Sequence, residues 1–246
     1  MAKRRSHLTN APIVEAVIDY RVLKREGTVA DSFAGLTPSL GSQYSKALLL
    51  QSVEARFGME QGKSIEPTTT TSAMGWQYRA GSLVAQFRTD GFTFSKLERY
   101  TTWGEVFAEA TRLWQLYVAK AQPPEVIRVA VRYINRLRIP VPAELGEYLT
   151  APPALASPSP QHLRQFLCRI AVDDPERNTS AVVVQASEPL MGQDAIGLLI
   201  DIDAFKENLS VAPTDPLLPE MFEKLRDLKN EIFFATLTEK AVEMYE

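Results

Sequence analysis

Arg128, Arg132, Arg136 and Arg138 occupy even positions of one alternating run, Val126 to Ile139, whose odd positions are mostly apolar. Successive residues of a strand point to opposite faces, so all four guanidiniums leave one face. Guanidinium forks pair with oxyanions in two-point geometry, which suits phosphates or an acidic partner. The same residues also have a structural use. If the long strands of the chain are neighbours, Glu15, Asp19, Asp201 and Asp203 place carboxylates on that face and form cross-strand ion pairs. Mixed charge is ordinary on an exposed sheet face, where each such pair contributes only about 0.2–1 kcal/mol.

Other residues that could do chemistry are sparser. Asp201 and Asp203, at alternate positions, are weak candidates for a divalent cation. Cys168 is the single cysteine, which excludes an internal disulfide, and with His7 and His162 alone no zinc cluster of Cys and His can be assembled. Asp90-Gly91-Phe92 spells the metal-binding triplet of kinases, but without a glycine-rich loop or catalytic-loop motif it reads as coincidence. Trp76, Tyr78, Phe92, Phe94 and Tyr100 could stack on bases, although such aromatics more often pack a core. No nucleophile has a visible base, so no catalytic constellation and no cofactor is expected.

The elements that position these residues follow from periodicity. With 246 residues, 45% hydrophobic and 23% charged, the chain can bury a large core. Val14, Ala16, Ile18, Tyr20 and Val22 alternate with Glu15, Val17, Asp19 and Arg21, a half-buried strand. A helix is expected from Ser42, as N-cap, to Gly58, as C-terminal stop. After a Thr68–Ser72 turn, Ala73 to Arg79 and Leu83 to Lys96 read as a hairpin. Thr102 and Glu105 have capping-box spacing ahead of a helical stripe of Trp103, Phe107, Ala110, Leu113, Trp114 and Tyr117, which ends at Pro123 and Pro124.

The second half starts with the arginine strand, in which Ile127, Val129, Val131, Tyr133, Leu137 and Ile139 are expected to face inward. A short helical piece at Glu144–Leu149 and a proline-rich surface loop at Ala151–Pro160 follow. Strands are expected at Phe166–Val172, Ser180–Ala186 and Ala195–Phe205. The terminal helix turns Phe222, Leu225, Leu228, Ile232 and Ala235 inward and breaks near Thr236, which is spaced to recap at Glu239.

The order strand, helix, strands, long helix occurs twice, giving tentative repeats at 11–122 and 123–246 within a single globular module, 1–246. The expected class is α+β: a curved antiparallel sheet with two long helices on one face and an internal duplication. This order resembles saddle folds of the TATA-box-binding-protein kind, or helix-grip folds. Residue by residue, the words NAPIVEAVIDYRV, QFRTDGFTFSKLERYTTW, RYINRLRIP, LLIDIDAF and LKNEIFFATLTEKAVEMY resemble a sporadically distributed bacterial protein family of about this length. The resemblance implies a complete single-module member and carries over no catalytic or binding residues.

A net charge of −3 gives no global attraction to nucleic acid. The basic N-terminus runs into Glu15 and Asp19, which excludes a signal-peptide apolar region. No run of about 18 apolar residues is present, so no membrane partner and a cytoplasmic location are expected. The expected function is non-enzymatic: a recognition module that binds a protein partner through the open polar sheet face, in a bacterial defence or toxin-neutralising (toxin–antitoxin) setting suggested by the patchy family distribution. The alternative is nucleic-acid or nucleotide binding through the arginine ladder of residues 128–138. The terminal helix, with Phe233 and Phe234 on adjacent directions, could dock in its own chain or make a homodimer.

Overall fold

Alternation in the first strand is realised: the computed structural model buries Ala16, Ile18, Tyr20 and Val22 in β1 (Ile13–Val22) and leaves Glu15, Val17, Asp19 and Arg21 on the other face. The structure describes residues 8–56, 59–60, 63–64, 68–142, 144–159, 165–189 and 195–246. After β1 come α1 (Thr37–Leu40), β2 (Lys46–Arg56), the short paired strands β3 (Met59–Glu60) and β4 (Lys63–Ser64), then β5 (Thr68–Ala80), β6 (Leu83–Arg88) and β7 (Gly91–Leu97). Helix α2 (Trp103–Ala121) leads into β8 (Val126–Pro140), β9 (Leu167–Asp174), β10 (Thr179–Pro189), β11 (Ala195–Lys206), α3 (Leu218–Thr236) and α4 (Glu239–Glu243).

The chain is therefore α+β, with a nine-stranded antiparallel sheet in the order β2-β5-β6-β7-β1-β8-β11-β10-β9. The two long strands β1 and β8 are neighbours, with Tyr20 opposite Val129 and Asp19 opposite Ala130. Outward from that pair the first half runs β7, β6, β5, β2 and the second β11, β10, β9. The Tyr20 ring lies 4.0 Å from Trp114 of α2, nearly parallel, and 4.8 Å from Phe222 of α3. Burying each such side chain contributes roughly 1.5–3 kcal/mol, so these aromatics seat both helices. A smaller cluster joins Leu137, Leu198 and Ile200 to Phe233, Leu237 and Val242.

Helix ends follow the capping signals. The Thr102 hydroxyl accepts from the Glu105 amide at 3.3 Å, and Gln122, left-handed at φ 43°, closes α2 before Pro123. Helix α3 ends at Thr236, where the break is expected, but Thr238 caps the next turn by accepting from the Ala241 amide. The tail then docks on its own chain: the Asn10 amide donates to the Tyr245 carbonyl and the Arg138 amide to the Tyr245 hydroxyl.

Several expectations are corrected. The helix expected from Ser42 is instead strand β2; Gly58 lies outside the described residues. Ala47, Leu48 and Gln51 favour helix by only a few tenths of a kcal/mol each, and an eleven-residue ladder to β5 outweighs that preference. Thr68–Ser72 extends β5 rather than turning, as β-branched threonines favour. Leu83–Lys96 is two strands, β6 and β7. Gly91 begins the second, where a Cβ would stand 2.2 Å from the Tyr20 carbonyl oxygen.

Ile127, expected inward, is 38% exposed while Val126 is buried, because a register shift between Arg21 and Val22 accommodates it. In α3, Ala235 is exposed, and Lys229 and Phe233 take the inward stripe with Phe222 and Leu225. The piece at Glu144–Leu149 is one 3-10 turn, Leu145–Glu147. Residues 151–159 form a largely exposed loop, and Pro160 lies outside the described residues.

Candidate functional site

Strand β8 lies between β1 and β11, so its outward arginines have carboxylate-bearing strands on both sides. Arg128 reaches Asp203 at 2.9 Å and Asp19 at 3.6 Å, and its guanidinium lies 4.6 Å from the centroid of the Phe205 ring. Arg132 grips both oxygens of Asp201, at 2.8 and 2.5 Å. Arg136 crosses β11 to Glu188 at 2.7 Å. Arg138, opposite Gly197, lies near the far end of the strand. Of the four, the structure brings Arg128 and Arg132 together in one open depression of about 510 Å³, and Arg136 and Arg138 lie beyond it.

Asp19 is the hub of that depression. It accepts from Arg21 at 3.2 Å, from Arg88 at 3.2 Å and from the Thr93 hydroxyl at 2.5 Å. Arg88, whose side chain is 8% exposed, also donates to Thr93 and to Asp90. Arg21 joins Asp90 at 2.6 Å. Burial works to raise the Asp90 carboxyl, but the Arg88 and Arg21 guanidiniums outweigh it and hold it below the usual range. At Asp203 burial wins against Arg128 and Arg132, and the carboxyl lies above its ordinary value. The hydrogen bonds from Arg132 to Asp201, strengthened by the carboxylate charge, hold its own proton more firmly.

Five arginines (Arg21, Arg88, Arg128, Arg132, Arg136) thus meet five carboxylates (Asp19, Asp90, Asp201, Asp203, Glu188). Arg88 is a member that sequence reasoning missed. Its signal was alternation: Gln86 and Arg88 interleave with the buried Ala85 and Phe87, a pattern hidden by reading β6 and β7 as one strand.

The other candidates disperse. Both Asp201 oxygens are taken by Arg132 and an Asp203 oxygen by Arg128, and no group of three metal-ligating side chains forms among the described residues. Asp90 is held by arginines. Tyr78, Phe92 and Phe94 are fully buried in the core, and Trp76 and Tyr100 pack against it. Cys168 is half-buried on β9, while His7 and His162 lie outside the described residues. Among the described residues no helix is long and apolar enough to cross a membrane. Comparison with protein-family models finds no match, and comparison with curated proteins finds no significant one.

Proposed function

We propose that this chain is a non-enzymatic recognition module that binds a protein partner through the charged face around β8. The observation that carries the reading is the state of Arg132 and Arg136: each side chain is 46% exposed, yet each is fixed from one side by its own carboxylate. A guanidinium held in place loses little side-chain entropy when a partner covers it, and arginines of this kind are frequent anchors in protein interfaces. Mixed charge of equal count suits a protein surface, which also mixes signs. It suits a phosphate backbone less, since phosphates would have to displace carboxylates.

The architecture agrees with such a role. The strand order about β1 and β8, with a long helix after β7 and another after β11, supports a duplicated unit whose two helices cover one face and leave the other open. A defence or toxin-neutralising setting rests on the family resemblance alone.

The test is capture of a partner from the source cell by wild type and by an Arg132→Glu/Arg136→Glu variant. Lys224→Glu, on the exposed side of α3, is the control. A partner held by wild type and the control but lost by the double variant, with circular dichroism unchanged, supports the reading. Equal capture by all three removes this face as the site, and salt-sensitive retention of DNA, RNA or nucleotides would replace the protein reading with the nucleic-acid one.

A further inference from the structure

Tyr133 and Asn135 alternate with Arg132 and Arg136 and therefore face away from the arginines, into a pocket of about 340 Å³ between β8, α3 and the start of α2. Lys229 lines that pocket at 6% exposure, its ammonium 3.6 Å from the centroid of the Tyr133 ring. Among the described residues no carboxylate pairs with it. The second cation in the wall, Arg226, is matched by Glu223 at 2.9 Å. Among the described residues no acidic side chain lines the pocket, so Lys229, when protonated, has no carboxylate there to compensate it.

Two more features favour an anion there. The first intrahelical bond of α2 runs from the Val106 amide to the Thr102 carbonyl. The Trp103 and Gly104 amides therefore precede the helical ladder at the pocket wall, at the positive end of a nineteen-residue helix. The Tyr100 and Tyr133 hydroxyls, 2.8 Å apart, share one proton between them and leave the other free to donate. Leu8, Ile13, Phe233 and Phe234 supply an apolar wall.

The geometry points to this pocket as the binding site of a small organic carboxylate with an apolar body, its carboxylate against Lys229 and its body against the phenylalanines. The single positive charge of protonated Lys229 matches a monoanion, and the volume fits a ligand of benzoate to octanoate size. This site stands on the face opposite the arginines and is independent of the recognition surface. Burial, and then the Arg226 charge, lower the Lys229 ammonium from 10.5 to about 7. The other titratable groups near it are Tyr100, Tyr133 and Glu223, and both phenols are pushed up by burial, so they stay protonated. A bound carboxylate restores the charge on Lys229, which makes binding take up a proton.

Calorimetry on the full chain tests this with benzoate and octanoate, their neutral amides and inorganic phosphate. The expected result is one-site binding of at least one carboxylate, about tenfold or more tighter than its amide and about tenfold weaker in Lys229→Met. Replacing a buried unpaired ammonium by an apolar isostere favours folding, so the variant is a fair probe. Wild type gives a second readout. In buffers of different ionisation enthalpy near pH 8, uptake should approach about one proton per ligand. Absence of carboxylate binding, equal binding of the amides, tighter binding of phosphate, undiminished binding by a folded Lys229→Met, or no proton uptake would each overturn the assignment.

Discussion

The two faces of the sheet handle their most buried cations, Arg88 and Lys229, in opposite ways. On the arginine face each of Arg21, Arg88, Arg128, Arg132 and Arg136 has a carboxylate within 3.2 Å. Across the sheet, Lys229 is more deeply enclosed than Arg132 or Arg136 and has an aromatic ring in place of a carboxylate. Matched charges are expected of a fold, because an unpaired buried ion costs several kcal/mol. An unmatched one persists at a cost in stability, which marks it as the better candidate for a ligand-dependent role.

The largest effect that would break this contrast lies at Asp19. Asp19→Ala leaves the buried Arg88 guanidinium short of a partner and should cost about 3 kcal/mol in urea unfolding. Asp19→Leu/Arg88→Met should recover part of that loss, and a cost below about 1 kcal/mol for Asp19→Ala would show the hub to be solvated.

Lys229→Met should change stability the other way, by about 1–4 kcal/mol of gain. Its ammonium is lowered to about 7 in the fold from 10.5, so between those values the unfolded chain binds more protons. Wild-type stability therefore rises with pH across that window, and the advantage of Met is greatest near pH 6 and shrinks toward about pH 10. Melting curves at both ends check the sign; a pH-independent gain would mean that Lys229 is not held near neutrality.

The smallest effect belongs to the rim pair Arg136–Glu188, where both side chains keep substantial exposure. A double-mutant cycle there should give about 0.2–1 kcal/mol and fade in high salt. A larger, salt-insensitive coupling would blur the line between rim and hub.

Much of the frame was legible because one period dominated locally. β1 alternates cleanly, and Thr102 with Glu105 announced α2. Part of the arginine network was legible for the same reason: alternation puts Arg128, Arg132, Asp19, Asp201 and Asp203 on one face once the long strands are neighbours, whereas Arg88, Asp90 and Glu188 were not foreseen as members of it. β2 was not legible, since a strand at the sheet margin buries little and its composition speaks for helix. Ile127 was lost to a register shift, which leaves no mark in periodicity. The Lys229 pocket was concealed differently: Leu225, Lys229 and Phe233 recur at fours, but a lysine on an apolar stripe is ordinarily read as a polar interruption.

An open sheet has two ends. Among the described residues β2 and β9 each have one hydrogen-bonded neighbour strand, so each leaves one edge outside the ladder of the sheet. Their side chains add to the exposure: Leu48 and Val53 on one, Leu167, Ile170 and Val172 on the other, between 40% and 75% accessible. Such margins are templates for strand addition from another molecule, held in check on β9 by the charges of Arg169 and Asp173. Colloidal behaviour should therefore depend on concentration, and charge-neutralising changes at those two residues are the ones that would turn a soluble preparation toward fibrous aggregation.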